Sequence, residues 1–394
     1  MRLCYLFCAF TTACLLWPNL SISQVLDSGP SNPALFDSVI NIPGDPDIGD
    51  DVMIFSPIVI GAPIDLAQIN LGVGGSIGDD FFAGAGTEVN IGGGTVGRRF
   101  ETSGSSFSVS EVNISGGSVG SFISTNNSLV NISGGTIGDG SAAGFNSVVN
   151  ISGGAVGDNF AALGSSQVNL SGGSIGDDFS IAFSSAQVNV SGGTIGNGAT
   201  VNLASELNVS GGSIGNNLDL AGGSLSVSGG TVGDDLTVSF ASSVDVTGGS
   251  IGDNVELRGA LNLSGGEIGD FFRAERDSEV NIFGTEFRNN GELIDLDVGD
   301  QQFIFFRGFT LSGVLSDGTD FSFDIDPLSS SSTDFFDSSA VVNIFQVAPA
   351  VPEPSSAVIL AACLSVALLR RSRGCPADVK TASGLTSINV SNLN

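Results

Sequence analysis

The chain has 394 residues and no histidine, and its 41 acidic residues against 12 basic ones give a formal net charge of −29. Without histidine it cannot form a Ser-His-Asp or Cys-His nucleophilic site, a histidine-ligated metal site or an imidazole general base. The excess of negative charge predicts no binding to nucleic acid or to anionic membranes.

The N-terminal residues 1–23 have the three parts of a secretory signal peptide. Arg2 is followed by the apolar run 3–17, and the small residues Ser21 and Ser23 end the segment. This order of basic, apolar and small residues is typical of exported proteins. We therefore predict that residues 1–23 direct export.

A repeat with a period of about 19 residues follows a lead-in at 24–40 and fills residues 41–290. Each copy has a Gly-Gly pair, then usually Ser or Thr, then a β-branched residue and an invariant glycine. The pairs begin at Gly74, Gly93, Gly116, Gly134, Gly153, Gly172, Gly192, Gly211, Gly229, Gly248 and Gly265. A period this short leaves room for one turn of a β-solenoid per copy and for no separate core.

Short alternating stretches, such as 89–91 and 168–170, precede the glycine pairs. Alternation with period two predicts a strand with one buried face. A mostly apolar column lies three residues after the invariant glycine and includes Phe81, Phe100, Ile123, Phe160 and Phe179. We predict an all-β fold, a parallel β-helix or β-solenoid, with two strands and glycine turns in each coil of about 19 residues.

Asparagine recurs at one position of the alternating stretches. The members of this column are Asn70, Asn90, Asn113, Asn131, Asn150, Asn169, Asn189, Asn208, Asn262 and Asn281. Stacked side-chain amides can hydrogen-bond along a fibre axis, as they do in cross-β structures. Many of these asparagines also lie in glycosylation sequons. We favour an asparagine ladder over glycans.

Aspartate recurs directly after the invariant glycine, at Asp79, Asp139, Asp158, Asp177, Asp234, Asp253 and Asp270. The segment 74–81 partly resembles the RTX nonapeptide, which has two glycines, a later aspartate and an aliphatic residue two positions on. The resemblance implies that calcium binds along the aspartate column. The alternative is a row of solvated turn carboxylates, and we predict no other cofactor.

A hydroxyl column occupies the position after the Gly-Gly pair. It contains Ser76, Thr95, Ser118, Thr136, Ser174, Thr194, Ser213, Thr231 and Ser250. Flat hydroxyl arrays on solenoids can bind ice or glycans. Local hydrogen bonding within the glycine turns is the simpler interpretation.

Charged residues that break the repeat cluster near its end. They are Arg273, Glu275, Arg276, Asp277, Glu279, Glu286 and Arg288. We interpret them as a polar transition into a cap, and the alternative is a catalytic or binding groove. Residues 291–346 lose the repeat but keep strand-like runs, which predicts a C-terminal β cap over the open end of the last coil.

The segment 347–373 contains a short motif, an apolar run at 357–369 and an arginine cluster. The motif and the cluster consist of Pro352, Glu353, Pro354, Arg370, Arg371 and Arg373. In this order they resemble the PEP-CTERM sorting signal of bacterial surface proteins, which implies processing by an exosortase during delivery to the surface or matrix. A plain membrane anchor, a short hydrophobic helix with its arginines in the cytoplasm, is the alternative. Residues 374–394 form a polar tail.

Export and sorting signals that bracket a regular repeat predict a non-enzymatic protein of the cell envelope, outer surface or extracellular matrix. Its expected role is that of a structural or adhesive rod. The expected partners are an exosortase-type processing enzyme, extracellular polysaccharide or surface matrix, and the membrane through the C-terminal segment before processing. The alternatives are a carbohydrate-active β-helix enzyme, either a polysaccharide lyase or a glycosidase, and a glycan- or ice-binding module. We assign no catalytic residue.

Overall fold

The computed structural model describes residues 39–42, 47–49, 53–54, 67–326 and 334–348, except positions 107, 184, 305 and 306. All regular elements within these ranges are β-strands. None of the described residues forms a helix able to cross a bilayer. The predicted signal peptide, residues 349–373 of the sorting segment with its hydrophobic helix, and the polar tail lie outside the described residues.

Each coil has three strand segments, which we call faces A, B and C in chain order. Face A consists of Val39–Ile42, Ala67–Leu71, Thr87–Ile91, Ser110–Ile114, Ser128–Ile132, Val148–Ile151 and Gln167–Leu170. Face B consists of Asp47–Ile48, Ser76–Ile77, Thr95–Val96, Ser118–Val119, Thr136–Ile137, Ala155–Val156 and Ser174–Ile175. Later coils join faces A and B into single strands at Gln187–Ile195, Glu206–Ile214, Ser224–Val232, Ser243–Ile251 and Ala260–Ile268.

Face C forms a separate sheet of 13 strands within the described residues. Its strands are Met53–Ile54, Phe82–Ala83, Phe100–Ser103, Phe122–Asn126, Ala142–Phe145, Ala161–Leu163, Ser180–Ala182, Thr200–Asn202, Asp219–Ala221, Thr237–Val238, Glu256–Leu257, Arg273–Ala274 and Phe335–Phe336. The expectation of two strands per coil was therefore wrong for the early coils, which have three, and it holds for the later coils in which faces A and B join. Face B has only two residues per strand in the early coils, which is too short to show an alternating pattern in the sequence.

Neighbouring coils pair in parallel and join equivalent residues. Val168, for example, pairs with Val149 in the coil before and with Val188 in the coil after. Because the side-chain period of a strand is two, this register stacks every apolar position on its equivalent. Val168, Leu170 and Phe179 are fully buried. The predicted all-β parallel solenoid is confirmed.

One coil departs from the predicted apolar column. Phe122 pairs with Phe100 and enters the core, where it is 2% exposed, so that it takes the repeat position that the sequence assigned to Ile123. The two rings pack edge to face with centroids 5.2 Å apart. The turn of this coil has one residue fewer after its invariant glycine, Gly120, so that the apolar position comes one residue earlier.

The Gly-Gly pair accommodates a bend where the register shifts between faces A and B. The second glycine has a positive φ, for example 75° at Gly193. A Cβ atom on Gly193 would lie 2.7 Å from the carbonyl oxygen of Gly173 in the preceding coil. Both the backbone conformation and the close approach of two coils therefore require glycine.

The C-terminal strands close the last coil. The strand Glu279–Asn289 begins as a repeat strand and then pairs antiparallel with Phe309–Leu315, which continues into Asp320–Ile325. Val341–Gln346 returns to the stack and pairs in parallel with Glu279–Asn289. The strand Gln301–Phe303 then pairs antiparallel with Val341–Gln346. This arrangement covers an edge that would otherwise present unpaired backbone groups. A two-residue strand, Glu292–Leu293, completes the region.

Asp334 joins the cap to the last repeat coil. Its two carboxylate oxygens accept hydrogen bonds from the backbone N–H groups of Phe272, at 3.0 Å, and Asp324, at 3.1 Å. Burial raises the pKa of Asp334, although the two backbone donors oppose this shift. The carboxylate thus replaces a backbone acceptor at the point where the regular stacking ends.

Candidate functional site

The asparagine column forms a continuous hydrogen-bonded ladder over eight coils. Each side-chain amide donates from Nδ2 to Oδ1 of the asparagine in the preceding coil. The donor–acceptor distances are 2.9 Å for Asn90 to Asn70, 3.0 Å for Asn113 to Asn90, 2.8 Å for Asn131 to Asn113, 2.9 Å for Asn150 to Asn131, 2.9 Å for Asn169 to Asn150, 2.9 Å for Asn189 to Asn169 and 3.1 Å for Asn208 to Asn189. The predicted ladder is confirmed.

The ladder is interrupted once and then resumes. Ser226 and Asp245 occupy the next two positions. Asn262 donates to Asp245 at 2.6 Å and Asn281 donates to Asn262 at 3.0 Å. The cap strand extends the ladder by one further position, since Asn343 donates to Asn281 at 2.7 Å. The column therefore also fixes the cap to the stack.

The aspartate column forms a second ladder of a different kind. In six of the seven predicted aspartates, all but Asp270, Oδ1 accepts a hydrogen bond from the backbone N–H of the equivalent residue in the next coil. The distances are 3.0 Å from Asp158 to Asp139, 2.9 Å from Asp177 to Asp158, 3.0 Å from Asp253 to Asp234 and 2.9 Å from Asp270 to Asp253. Asp79 accepts in the same way from Arg98, at 2.7 Å.

Asparagine replaces aspartate at two positions without breaking this ladder. Asn197 donates its backbone N–H to Asp177 at 2.7 Å, and its own Oδ1 accepts from Asn216 at 2.9 Å. Asn216 in turn accepts from Asp234 at 3.0 Å. Because an amide oxygen serves as well as a carboxylate oxygen, the column requires an acceptor at this position rather than a negative charge.

The same geometry explains the invariant glycine before each aspartate. A Cβ atom on Gly176 would lie 2.2 Å from Oδ1 of Asp158 and 2.8 Å from its backbone nitrogen. The aspartate carboxylate of the preceding coil therefore occupies the space that a side chain at this glycine would need. The sequence showed that the glycine was invariant, but the intercoil contact that requires it appears only when the coils are stacked.

The residue after the Asp or Asn of this column makes a third set of hydrogen bonds between coils, which sequence reasoning missed. Asn159, Asp178 and Asn217 have φ values of 58°, 59° and 62°. Their N–H groups donate to the carbonyl oxygens of the next coil, with distances of 2.8 Å for Asn159 to Asp177 and for Asp178 to Asn197, and 2.9 Å for Asn217 to Asp234. The signal available in the sequence was the frequency of Asp, Asn and Gly at this position, which are the residues that tolerate a left-handed conformation.

The aspartates lie in one line along the turn, and the structure brings six of the seven together in two runs of three neighbouring coils, Asp139 to Asp177 and Asp234 to Asp270. Arg98 and Ser121 separate Asp79 from the first run, and two asparagines separate the runs. Among the described residues, no group of three or more His, Cys, Asp or Glu side chains is arranged to hold a metal ion. A coil of this column offers a metal ion at most one carboxylate, and Oδ1 of Asp139, Asp158, Asp234 and Asp253 already accepts a backbone hydrogen bond. Calcium binding along this column stays a hypothesis.

Replacing Asp139, Asp158 and Asp177 together by asparagine is expected to change the free energy of unfolding by less than about 1 kcal/mol, because the acceptor oxygen is kept. Replacing the same three residues by alanine is expected to cost about 1 kcal/mol per site, since each change removes the acceptor of a backbone donor. Urea unfolding of both variants gives this comparison. A melting temperature that rises with millimolar calcium in the wild type, but not in the asparagine variant, would instead assign the column to calcium.

The hydroxyl column lies on face B beside the glycine pairs. Thr95, Ser118, Thr136, Thr194 and Thr231 are exposed, and the other described members are half-buried. A parallel row of exposed serines precedes the glycine pairs. Their hydroxyls lie near carbonyl oxygens of the preceding coil, at 3.4 Å in both Ser152 to Ile132 and Ser171 to Ile151. At this distance the contacts are weak hydrogen bonds.

The charged cluster of the last repeat coils lies at the junction with the cap, as the capping interpretation expects. Arg273 binds Glu275 at 3.2 Å and stacks over the ring of Phe335, 4.9 Å from its centroid. Arg288 binds Glu286 at 3.4 Å. These side chains therefore contact one another and a cap residue along the strands that carry the stack into the cap.

Comparisons with protein-family models, with curated proteins and with solved structures found no match to this chain. The predicted sorting residues Pro352, Glu353, Pro354, Arg370, Arg371 and Arg373 lie outside the described residues. The β-solenoid is therefore the established property of the chain.

Proposed function

We propose that this protein is a non-enzymatic structural or adhesive rod of the bacterial cell surface or extracellular matrix. The observation that carries the proposal is that the repeated polar side chains bond coil to coil. The asparagine ladder and the aspartate ladder add side-chain bonds to the backbone pairing of the stack. The asparagines and aspartates that recur once per coil thus have a structural role.

A stack of this kind suits a mechanical or adhesive role for two reasons. Each coil contacts its neighbours through backbone and side-chain bonds at once, so that one coil opens only when its neighbours lose bonds as well. The outer columns also repeat at the coil spacing of about 4.8 Å. A partner with its own repeating structure can therefore contact many equivalent positions, which raises avidity without a strong single site.

Delivery to the surface is proposed from the resemblance of residues 351–373 to a PEP-CTERM signal. An exosortase-type enzyme would process the chain near Pro352, Glu353 and Pro354 after export by residues 1–23. Deleting residues 351–373 is expected to abolish surface retention, whereas deleting residues 374–394 is expected to leave it intact. Cell fractionation with an antibody against the solenoid provides the measurement.

Mass spectrometry of the retained protein separates sorting from plain anchoring. Processing predicts a product that lacks Arg370, Arg371 and Arg373. A plain membrane anchor predicts a product that keeps these arginines and stays in the membrane fraction. Unchanged surface retention after deletion of residues 351–373 would contradict both interpretations.

A further inference from the structure

Face C ends in a line of large apolar side chains that point into solvent. The residues are Phe145, Phe183, Leu203 and Phe240, and their exposed fractions are 51%, 67%, 69% and 76%. Each lies three residues after the first residue of its face C strand, and these strands begin at 142, 180, 200 and 237. The register of face C aligns the strand starts, so the four side chains lie in one column. We call this line the apolar ridge.

The ridge continues through the two coils that lack a large side chain. Gly164 and Gly222 occupy those positions. A Cβ atom on Gly164 would lie 2.0 Å from Cδ1 of Phe145, and one on Gly222 would lie 2.4 Å from Cδ2 of Leu203. The Phe145 ring and the Leu203 side chain therefore lean across the glycines of the following coils. The result is an unbroken apolar line over six coils.

The backbone of one ridge residue is held in an unfavourable conformation. Phe183 has a φ of 63°, which is unusual for a bulky residue. The side chain is 67% exposed, so the free-energy cost of this backbone conformation is not offset by packing of the ring in the core. Strain of this kind clusters at functional positions.

The surface beside the ridge has little charge, although the chain as a whole carries a formal net charge of −29. The outer positions that begin the face C strands from 142 to 237 are two alanines, one serine, two threonines and one acidic residue, Asp219. Ser180 and Thr200 begin two of these strands, and Ser239 directly precedes Phe240 in the chain. A neutral partner that binds here therefore removes few charged side chains from water.

The size of the ridge argues against a second copy of this chain as the occupant. Five coil steps of about 4.8 Å give a length of about 24 Å, and four strand residues of about 3.3 Å give a width of about 13 Å. The resulting area of roughly 300 Å² is less than half of the ~800 Å² that each partner buries in a stable protein complex. Two copies would also bring two strongly negative surfaces together. A thin linear polymer matches the long, narrow shape better.

We propose that the apolar ridge binds a neutral, extended polysaccharide that runs along the solenoid axis. The C–H faces of the sugar rings pack on Phe145, Phe183, Leu203 and Phe240, whose rings and branched side chain provide the apolar area. Sugar hydroxyls bond to the neighbouring serine and threonine hydroxyls of face C. The choice of a polysaccharide as the bound polymer rests on the proposed role in the matrix. The inference places the matrix contact of the protein at one edge of face C.

The test compares a ridge variant with a matched surface variant in the purified chain. The ridge variant carries Phe183→Asn and Phe240→Ser, and asparagine tolerates the left-handed conformation at position 183, so folding is kept. The control variant carries Phe303→Ser, which removes a 50% exposed phenylalanine from the cap. Binding is measured against cellulose, chitin, starch and dextran, with alginate as an anionic polymer, and thermal melts check the fold.

We expect the wild type and the control to bind at least one neutral polysaccharide and not alginate. The ridge variant is expected to bind about tenfold more weakly or less. Equal binding by the ridge variant, or no binding of any neutral polymer by the wild type, overturns the inference. A dimer that sedimentation velocity detects in the wild type, but not in the ridge variant, also overturns it and makes the ridge a self-association surface. If the polysaccharide proposal fails, the ridge variant is still retained at the cell surface. If the matrix proposal fails, the chain is retained to the same extent after deletion of residues 351–373.

Discussion

Replacing Gly193 by alanine is expected to lower the free energy of unfolding by about 4 kcal/mol. The added Cβ atom would lie 2.7 Å from the carbonyl oxygen of Gly173 and 2.9 Å from the carbonyl carbon of Gly172, and both atoms belong to backbone that cannot move alone. Alanine also disfavours the φ of 75°. Urea unfolding followed by circular dichroism measures the loss.

Gly140 provides a matched control for this change. It has a φ of 70°, but a Cβ atom there would meet nothing within 4 Å. Gly140→Ala is therefore expected to cost only about 1 kcal/mol, from the backbone conformation alone. Similar losses in the two variants would show that close approach of the coils does not determine the Gly-Gly pair.

Replacing Asn169 by alanine is expected to cost about 2 kcal/mol. The side chain donates to Asn150 and accepts from Asn189, both at 2.9 Å, and it also accepts from Gln167 at 3.1 Å. Its removal therefore takes away the ladder partners of both Asn150 and Asn189. The loss exceeds that of a single surface hydrogen bond because two ladder bonds and the bond from Gln167 break together. Denaturant unfolding measures it.

The interruption of the ladder allows the opposite change. Replacing Ser226 and Asp245 together by asparagine joins the two parts of the ladder, because each new amide can donate to the coil before and accept from the coil after. The double variant is expected to gain about 1 kcal/mol in unfolding free energy. A neutral effect of both this variant and Asn169→Ala would contradict a stabilising role for the asparagine column.

The repeat made much of the fold predictable. The β-branched column and the period-two alternation placed Val168 and Leu170 in the interior, and stacking of equivalent residues placed Asn150, Asn169 and Asn189 in one ladder. These results follow because parallel stacking in register converts a sequence period directly into a spatial neighbour.

Other features depend on contacts that a period does not contain. Ile123 was the wrong member of the apolar column because the shortened turn after Gly120 changes the register and two apolar residues are adjacent there. The return of residues 334–346 to the stack depends on pairing across some 60 residues of chain, for which no repeat exists. In both cases packing, rather than local pattern, decides the position.

The candidate functional surfaces were predictable only in part. The aspartate column was found, but its role as a backbone acceptor emerged from the hydrogen bonds to the next coil, such as Asp177 to Asp158. The apolar ridge was missed because glycines alternate with its large residues, and because an exposed Phe183 or Phe240 reads in sequence like a core residue. The exposure of Phe183 and Phe240 can be recognised only when it is known that their face C strands end at residues 182 and 238.

Hydrogen exchange at the aspartate turn tests the central structural claim most directly. The backbone N–H groups of Asp158, Asp177 and Asp253 belong to exposed residues but donate to the preceding coil at 2.9 to 3.0 Å. We predict that they exchange as slowly as the strand amides and that the triple asparagine variant keeps this protection near its altered sites, whereas the triple alanine variant loses it. Rapid exchange of these amides in the wild type would contradict the claim that the repeated carboxylates brace the coils.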